Sequence, residues 1–243
     1  AFCYPGEISS KLAASWLHVD TGVDASARWF LLSCGDSYVT LYLVGEELFS
    51  CQTQMTSESL EQLLQSCTPD GSFFAFEDAQ SRFDTLAPLS LLPGQTPAIH
   101  EASAANPCDA RFSDALASSL GFNPYGDAKY IDPAGTTSFT ETTHALSVTA
   151  GGRVSLQVSE PLERFQSAAD SRESRVEAAR ELLSTISGGT LGEARLYLTD
   201  VSEQDGQTVC TFAYFLNGVY VSAIEPAAVT FEGTRITSAS IVL

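Results

Sequence analysis

Basic residues are scarce in this chain of 243 residues. Twelve lysines and arginines stand against 30 aspartates and glutamates, which gives a formal net charge of −18 at pH 7. Binding to nucleic acid or to an anionic membrane surface needs a Lys or Arg for each phosphate contact. The composition therefore argues against nucleic acid as a partner. The acidity is spread along the chain, so it keeps the protein soluble without selecting one partner.

Long apolar runs are also missing. No stretch approaches the roughly 20 apolar residues that span a bilayer as a helix, and no charged-then-apolar leader precedes the first predicted strands. The chain begins at Ala1 and not at Met. Any attachment to a membrane would therefore come from an N-terminal anchor, removed from or absent in this sequence.

The motifs of metal, cofactor and nucleotide sites are absent too. No Walker loop, G-x-G-x-x-G, G-x-S-x-G, H-E-x-x-H or EF-hand pattern occurs. The six cysteines are far apart, with no C-x-x-C pair and no neighbouring His, so we predict neither a zinc site nor a redox site. They are Cys3, Cys34, Cys51, Cys67, Cys108 and Cys210. They are either buried free thiols or partners in one or two disulfides.

The first part of the chain has the patterns of an α+β domain, which we place at residues 1–92. The runs RWFLLSC, YVTLYLV and ELFSCQT predict a meander of antiparallel strands over 28–34, 38–44 and 47–53. Leu60, Leu63, Leu64 and Cys67 then follow a helical period over 56–67, with Thr56 or Ser57 as the N-cap. GSFFAFED, residues 71–78, returns to a strand pattern.

A stretch rich in proline and small residues follows, and we place an exposed linker at 93–107 within it. The residues after it predict a second α+β domain at 108–243. The helix 111–120 ends at Gly121, four short strands follow it, and the helix 170–187 has a capping-box spacing at Asp170 and Glu173. The final meander contains Asn217-Gly218, a strong signal for a type I′ hairpin turn. Each domain is thus predicted to be an antiparallel meander with helices on one face.

The stretch WLHVDTGVDAS resembles the catalytic loop of a retroviral-type aspartic protease, with Asp20 as the catalytic carboxylate. Such an enzyme needs two carboxylates that share a proton, from two lobes or from two chains of a dimer. No second Asp-Thr/Ser-Gly follows, and the nearest counterpart to the supporting strand is Leu91-Leu92-Pro93-Gly94. Asp-Thr-Gly is also ordinary turn chemistry. We therefore predict a turn, with a peptidase that uses Asp20 as the alternative.

Two further stretches contain the residue types of catalytic or metal sites. Cys34-Gly35-Asp36-Ser37 could supply a nucleophile, with His18, His100 or His144 as its general base. Gly-Asp-Ser between two strands, however, predicts a hairpin. Asp200, Glu203 and Asp205 could bind calcium, but their spacing departs from the EF-hand loop and fits a solvated hairpin tip better. We therefore predict no catalytic residue, no metal site and no cofactor.

Four of the twelve basic residues lie in or just before the helix 170–187: Arg164, Arg172, Arg175 and Arg180. One interpretation is that they pair with Glu163, Glu173, Glu177 and Glu181 on a solvated helix face. The other is that they mark a patch that meets an acidic protein partner. They are the candidate partner-binding residues of this chain.

The C-terminal half resembles the extracytoplasmic domains of the YycH/YycI-type regulatory proteins of Firmicutes. The resemblance runs from LGFNPYGDAKY through ETTHALSVTAGGRVSLQV and the helix EAARELLSTI to the final meander. Proteins of that type are held by a single membrane anchor and restrain a sensor histidine kinase. The resemblance implies a non-enzymatic regulatory or binding protein outside the cytoplasm, secreted or membrane-anchored, with a protein partner such as a membrane sensor kinase. It carries over no functional residue.

Overall fold

A computed structural model describes residues 2–16, 25–45, 47–65, 71–88, 90–94, 101, 106–216, 219–222 and 224–243. We call residues 2–94 the N-terminal region and residues 106–243 the C-terminal region. The described residues contain four α-helices and several antiparallel sheets, so the fold is α+β as predicted.

The N-terminal region is built on a four-stranded antiparallel sheet. Its strands are β1 (Phe2–Ser9), β2 (Ser26–Cys34), β3 (Tyr38–Val44) and β4 (Leu48–Thr56), paired in that order. Helix α1 (Ser10–Trp16) follows β1, and helix α2 (Ser57–Leu64) follows β4. The three predicted strands of the meander are confirmed. The strand predicted over 71–78 is wrong beyond two residues: β5 (Phe73–Phe74) pairs with β6 (Leu91–Leu92), and a 3₁₀ turn (Ala75–Glu77) follows β5.

Helix α2 begins as predicted but does not bury the predicted face. The Thr56 hydroxyl accepts a hydrogen bond from the Ser59 N–H at 3.2 Å, which caps the first turn. Leu60 is buried, whereas Leu63 and Leu64 are 56% and 44% exposed, and Cys67 of the predicted face lies outside the described residues. The helix packs on β3 and on the edge strand β4.

The C-terminal region opens with α3 (Ala110–Ser119), which the Asp109 carboxylate caps by accepting from the Phe112 N–H. Four strands follow: β7 (Lys129–Ile131), β8 (Thr137–Thr140), β9 (His144–Val148) and β10 (Arg153–Val158). After a 3₁₀ turn (Glu163–Phe165) and α4 (Arg172–Ser187) come β11 (Ala194–Gln204), β12 (Gln207–Leu216), β13 (Val219–Tyr220), β14 (Ala227–Glu232) and β15 (Arg235–Val242). The strands of this large sheet are ordered β11-β12-β14-β15-β10-β9-β8-β7, with β13 added to β12.

The two faces of the large sheet differ in chemistry because side chains alternate along each strand. One cross-strand row is apolar and buried against the helices; it consists of Phe139, Leu146, Leu156, Ala239, Val229 and Cys210. The neighbouring row on the other face is half-exposed and consists of Ser138, Ser147, Ser155, Ser240, Ala228 and Thr211. Helices therefore cover one face, and small hydroxyl side chains line the other.

Helix α4 has the predicted buried stripe of Val176, Ala179, Leu183 and Ile186. Its predicted capping box is wrong. Ser171 is the N-cap, and its hydroxyl accepts from the Ser174 N–H at 3.2 Å. The spacing at Asp170 looked like a capping box, but its carboxylate binds Arg175 instead. The helix ends at Gly188, whose φ of 52° is left-handed, as predicted.

Turn chemistry fixes the register of the C-terminal meander. Leu216 lies opposite Val219, which confirms the register predicted for the hairpin, although residues 217–218 lie outside the described part of the chain. A second two-residue turn, Asp205-Gly206, joins β11 to β12 with φ values of 54° and 79°. Positive φ at both positions is the type I′ geometry that suits the twist of a hairpin. Asp205 thus lies at the tip of a hairpin, which is the structure predicted for it in preference to a calcium site.

The two regions share one buried apolar cluster. It includes Ile8, Leu12 and Leu41 from the N-terminal region together with the core of the large sheet. Strand β1 lies against β11, and α1 lies against α4. The division into domains at 1–92 and 108–243 stays a prediction. Because the buried cluster contains residues from both regions, the unfolding of one region should affect the other.

Candidate functional site

The predicted catalytic stretch lies outside the described residues. Asp20, Thr21 and Gly22 belong to the undescribed residues 17–24, as does His18, so the peptidase alternative stays a prediction. Cys34 ends β2 and is exposed, and the Gly35 N–H donates to the Tyr38 carbonyl at 3.1 Å. The predicted β2–β3 hairpin is thus confirmed.

His144 is the one predicted base that the described residues include. Its Nδ1 lies 2.6 Å from the Thr143 hydroxyl, and its ring meets Phe122 edge-on at 6.0 Å. A cavity of about 380 Å³ adjoins it, lined also by Glu141, Arg164 and Phe165. The Glu141 carboxylate accepts from the Asn123 N–H at 3.0 Å. The His144 ring and the Glu141 carboxylate therefore make contacts with Thr143, Phe122 and Asn123 that stabilise the start of β9.

The described thiols are free: Cys34, Cys51, Cys108 and Cys210. Burial raises the pKa of Cys210 to about 12, which leaves it an unreactive thiol within the core. Burial also raises the pKa of Cys51 and that of Cys108. Within the described ranges, no group of three or more His, Cys, Asp or Glu side chains could hold a metal ion.

The four predicted partner-binding arginines separate into two pairs. Arg172 lies 3.8 Å from Glu203 on β11, and Arg175 lies 3.9 Å from the same carboxylate. Arg175 also binds Asp170 and donates to the Gly233 carbonyl at 2.8 Å, with only 12% of its side chain exposed. This pair ties the start of α4 to the loops of the large sheet.

The other pair meets glutamates of α4, and Arg180 also contacts α1. Arg180 lies 3.4 Å from Glu177, and its guanidinium stands over the Trp16 ring at 5.4 Å from the centroid. Arg164 lies 3.7 Å from Glu181 and over the Phe165 ring at 5.1 Å. Pairing with Glu177 and Glu181 agrees with one of the two interpretations of the sequence. Pairing with Glu203 does not, because β11 and α4 become neighbours only in the folded chain. Asp170 is local to Arg175 but was not among the predicted partners.

Trp16 joins the two regions at this point. Its indole N–H donates to the Glu177 carboxylate at 3.0 Å, across 161 residues of sequence. Glu177 thereby receives both the indole N–H and the guanidinium that covers the indole ring. An indole, a carboxylate and a guanidinium are thus held together at the junction of α1 and α4.

An open groove of about 1130 Å³ runs along this junction. Trp16 and Arg180 border it, Gln166 and Tyr197 lie on its wall, and α4 supplies its floor. We call it the α1–α4 groove. Glu173, Glu177 and Glu181 follow one another at four-residue spacing along α4 and lie within it. Like charges at this spacing destabilise a helix by about 0.2–0.5 kcal/mol per pair, which Trp16, Arg180 and Arg164 offset.

Sequence reasoning missed Trp16. It lies in WLHVDTG, which drew attention to Asp20, and α1 is only seven residues long, too short for a helical period to stand out. An isolated Trp before a predicted turn gives no signal of a partner on a helix 161 residues away.

No family model matches the chain, and no curated protein or solved structure matches it either. In the part of the chain that the structure covers, no helix has the length and apolar character needed to cross a membrane.

Proposed function

We propose that this chain is a non-enzymatic binding module that contacts a protein partner through the α1–α4 groove. The arrangement of Trp16, Glu177 and Arg180 supports this most directly. Tryptophan, tyrosine and arginine are the residues that contribute most to protein interfaces, since they offer large contact area and several hydrogen bonds. All three types border this groove, and Tyr197 is 41% exposed.

Of the four predicted partner-binding arginines, Arg180 borders the groove, and Arg164 reaches it through its ion pair with Glu181, which lies within it. Arg164 and Arg180 are 63% and 50% exposed, so they can turn from their glutamates toward acidic groups of a partner. Arg175 and Arg172 serve the contact between α4 and the sheet. We therefore assign partner contact to Arg164 and Arg180, and a structural role to the other two.

We further propose that the protein acts outside the cytoplasm as a regulator, with a membrane sensor kinase as its partner. This part rests on the resemblance to the YycH/YycI-type proteins, in the order of elements from α3 to β15. The groove supports a protein partner in general, and the resemblance supplies the class of partner.

Site-specific photo-crosslinking tests the groove. A benzoyl-phenylalanine replaces Gln166, which is exposed at the groove, and the matched control replaces Gln157, which is exposed on the other face of the large sheet. In cells of the source organism we expect a cross-link from position 166 to a membrane protein, none from position 157, and loss of the cross-link in Trp16→Ala. Equal cross-linking from both positions, or none from position 166, would contradict the proposal.

The peptidase alternative has a separate test. Asp20→Asn removes the charge that an aspartic-type mechanism needs, so hydrolysis of an unfolded protein substrate by the wild type would be lost in the variant. We expect no hydrolysis by either protein. Hydrolysis that depends on Asp20 would favour the enzyme.

A further inference from the structure

The outer edges of the two sheets are protected to different extents. The edge strand β7 has three residues and begins with Lys129, and short length and lysine both discourage further pairing. Strands β1 and β11 are the other end strands of the two sheets, and each is protected because they lie against each other. Strand β4 is nine residues long and has β3 as its only strand partner among the described residues.

Before its bulge at Thr53, strand β4 lacks the charged residues and prolines that usually protect an edge. Its sequence, LFSCQTQMT, contains no charged residue and no proline, and neither does its neighbour β3. Exposed edge strands normally carry such residues because every second N–H and C=O points away from the sheet and can pair with another chain. The strand is therefore open to β-strand addition.

The free part of this edge is Leu48–Gln52. At Thr53 the pairing with β3 shifts by a bulge, and the Thr53 hydroxyl donates to the Val39 carbonyl and accepts from the Met55 N–H at 3.1 Å. After Gln52, the bulge and the hydrogen bonds of Thr53 interrupt the regular edge of the strand. Five residues remain, which is about the mean length of a strand.

Side chains at this edge are left half-covered. Phe30, Leu43 and Phe49 form one cross-strand row, and Leu32, Leu41 and Cys51 form the next. Leu41 and Leu43 are buried, whereas Phe49 and Cys51 at the end of each row are only partly buried. A recess of about 830 Å³ reaches Phe49 from the segment 87–91. An added strand with apolar residues two apart would extend both rows.

The charges around the β4 edge indicate which kind of segment could bind there. Glu47 precedes β4, and Glu58 and Glu61 lie exposed on α2 beyond its other end. A second copy of this chain would bring a further net charge of −18 to the same place, which opposes close approach. A basic segment is attracted instead.

We propose that the edge of β4 at Leu48–Gln52 binds an extended segment of a partner protein, in which apolar residues alternate and lysines or arginines are present. Backbone hydrogen bonds give such a complex its affinity, and the Phe49 and Cys51 rows give it register. This site is separate from the α1–α4 groove, and either can fail without the other.

The test uses the peptide Val-Lys-Val-Lys-Val-Lys-Val, two forms of it that are N-methylated at alternate residues in opposite phase, and a Glu-for-Lys form. We expect the plain peptide to bind and to slow amide exchange at residues 48–52. One N-methyl phase should bind about as well and the other about tenfold or more weakly, since only one phase removes hydrogen bonds to the edge. The Glu form should bind least.

Protein variants complete the test. Gln52→Lys adds a charge at the edge and should weaken binding about tenfold or more, whereas Gln157→Lys, the same change on a central strand, should weaken it far less. Absence of binding, equal effects of the two N-methyl phases, or protection at α4 instead of β4 would overturn the proposal. Self-association of the unliganded protein that Gln52→Lys abolishes would assign the edge to a second copy and also overturn it.

Discussion

The N-terminal and C-terminal regions use the same elements but complete their cores differently. In the C-terminal region, α3 and α4 cover one face of the large sheet, and aromatic side chains such as Phe212 and Phe231 are almost fully buried. In the N-terminal region, Leu41 and Leu43 are buried, but Phe49 and Cys51 at the outer ends of their two rows are only partly buried, and α2 exposes two leucines. The sheet of the C-terminal region is covered by helices of its own region. The sheet of the N-terminal region depends on a neighbour to cover its apolar side chains.

That neighbour is the C-terminal region itself. Strand β1 lies against β11, Trp16 reaches Glu177, and the buried cluster includes residues of both regions. Contact with the larger core buries apolar side chains that the small sheet would otherwise leave in water, so it stabilises the N-terminal region. The comparison therefore predicts that the stability of the N-terminal region follows that of the C-terminal region.

The largest expected effect comes from the core of the large sheet. Phe231→Ala leaves a cavity and should lower the free energy of unfolding by about 3–5 kcal/mol. The only tryptophans, Trp16 and Trp29, both lie in the N-terminal region. In urea, tryptophan fluorescence should nevertheless shift together with far-UV circular dichroism.

Leu41→Ala is the matched change in the N-terminal region, with an expected loss of about 2–5 kcal/mol. If the regions unfold separately, as the two-domain prediction states, Phe231→Ala will leave the fluorescence midpoint where it is. Limited proteolysis at 93–107 before any other site would agree with that result.

The next effect concerns the turns of the C-terminal meander. Gly206 has a φ of 79° and no atom within 4 Å of an added Cβ, so Gly206→Val should cost about 1–3 kcal/mol through backbone strain alone. Gly218→Val should cost as much if the hairpin at 217–218 is type I′. Melting temperature measures both, and Gly206→Asn is the control, since Asn tolerates positive φ. A harmless Gly218→Val would contradict the predicted turn.

Alkaline pH should destabilise the C-terminal region through its buried thiol, Cys210. Burial raises the pKa of Cys210 to about 12 from an ordinary 9.0. Below pH 9 the thiol is protonated in both states, and above it only the unfolded chain ionises, so the free energy of unfolding should fall by about 1.4 kcal/mol per pH unit.

Urea titrations between pH 8 and pH 11 measure this loss. Cys210→Ala should reduce the slope. Burial also raises the pKa of Tyr214, so part of the slope should remain in Cys210→Ala. An unchanged slope in that variant would show that Cys210 does not cause the loss.

The smallest expected effect is at the junction between the regions. A cation–π contact at an exposed site contributes about 0.5–1 kcal/mol. In a double-mutant cycle, Trp16→Ala and Arg180→Ala should couple by that amount. Trp16→Ala and Arg164→Ala should not couple, because Arg164 stands over Phe165 instead. Coupling of equal size in both cycles would mean that the contact is not specific.

The elements that the sequence predicted best are those with local signals. The stripe of α4, its end at Gly188 and the register at Leu216 and Val219 depend on residues close in the chain. Strand β1 and helix α1 had no such signal, because β1 contains Pro5-Gly6 and α1 has only seven residues. Helices this short are stable only when tertiary contacts hold them.

The candidate site was predictable only in part. The four arginines stood out as a basic group in an acidic chain, and Arg180 does lie at the groove. The role of Trp16 was not predictable, since its partner lies 161 residues away. Nor could local patterns distinguish Arg175, which the fold encloses, from Arg180, which it leaves half-exposed.

By itself the sequence determined the α+β class, the positions of most helices and strands, the turns at Gly188 and Asp205-Gly206, and the register of Leu216 with Val219. Steric limits on φ and the period of apolar residues act over a few residues, so they can be read without the fold. Only the tertiary structure decided that β1 lies against β11, that Trp16 meets Glu177 and that β4 is left at an edge. Those outcomes depend on which distant surfaces lose the most water when they meet, and no short segment contains that information.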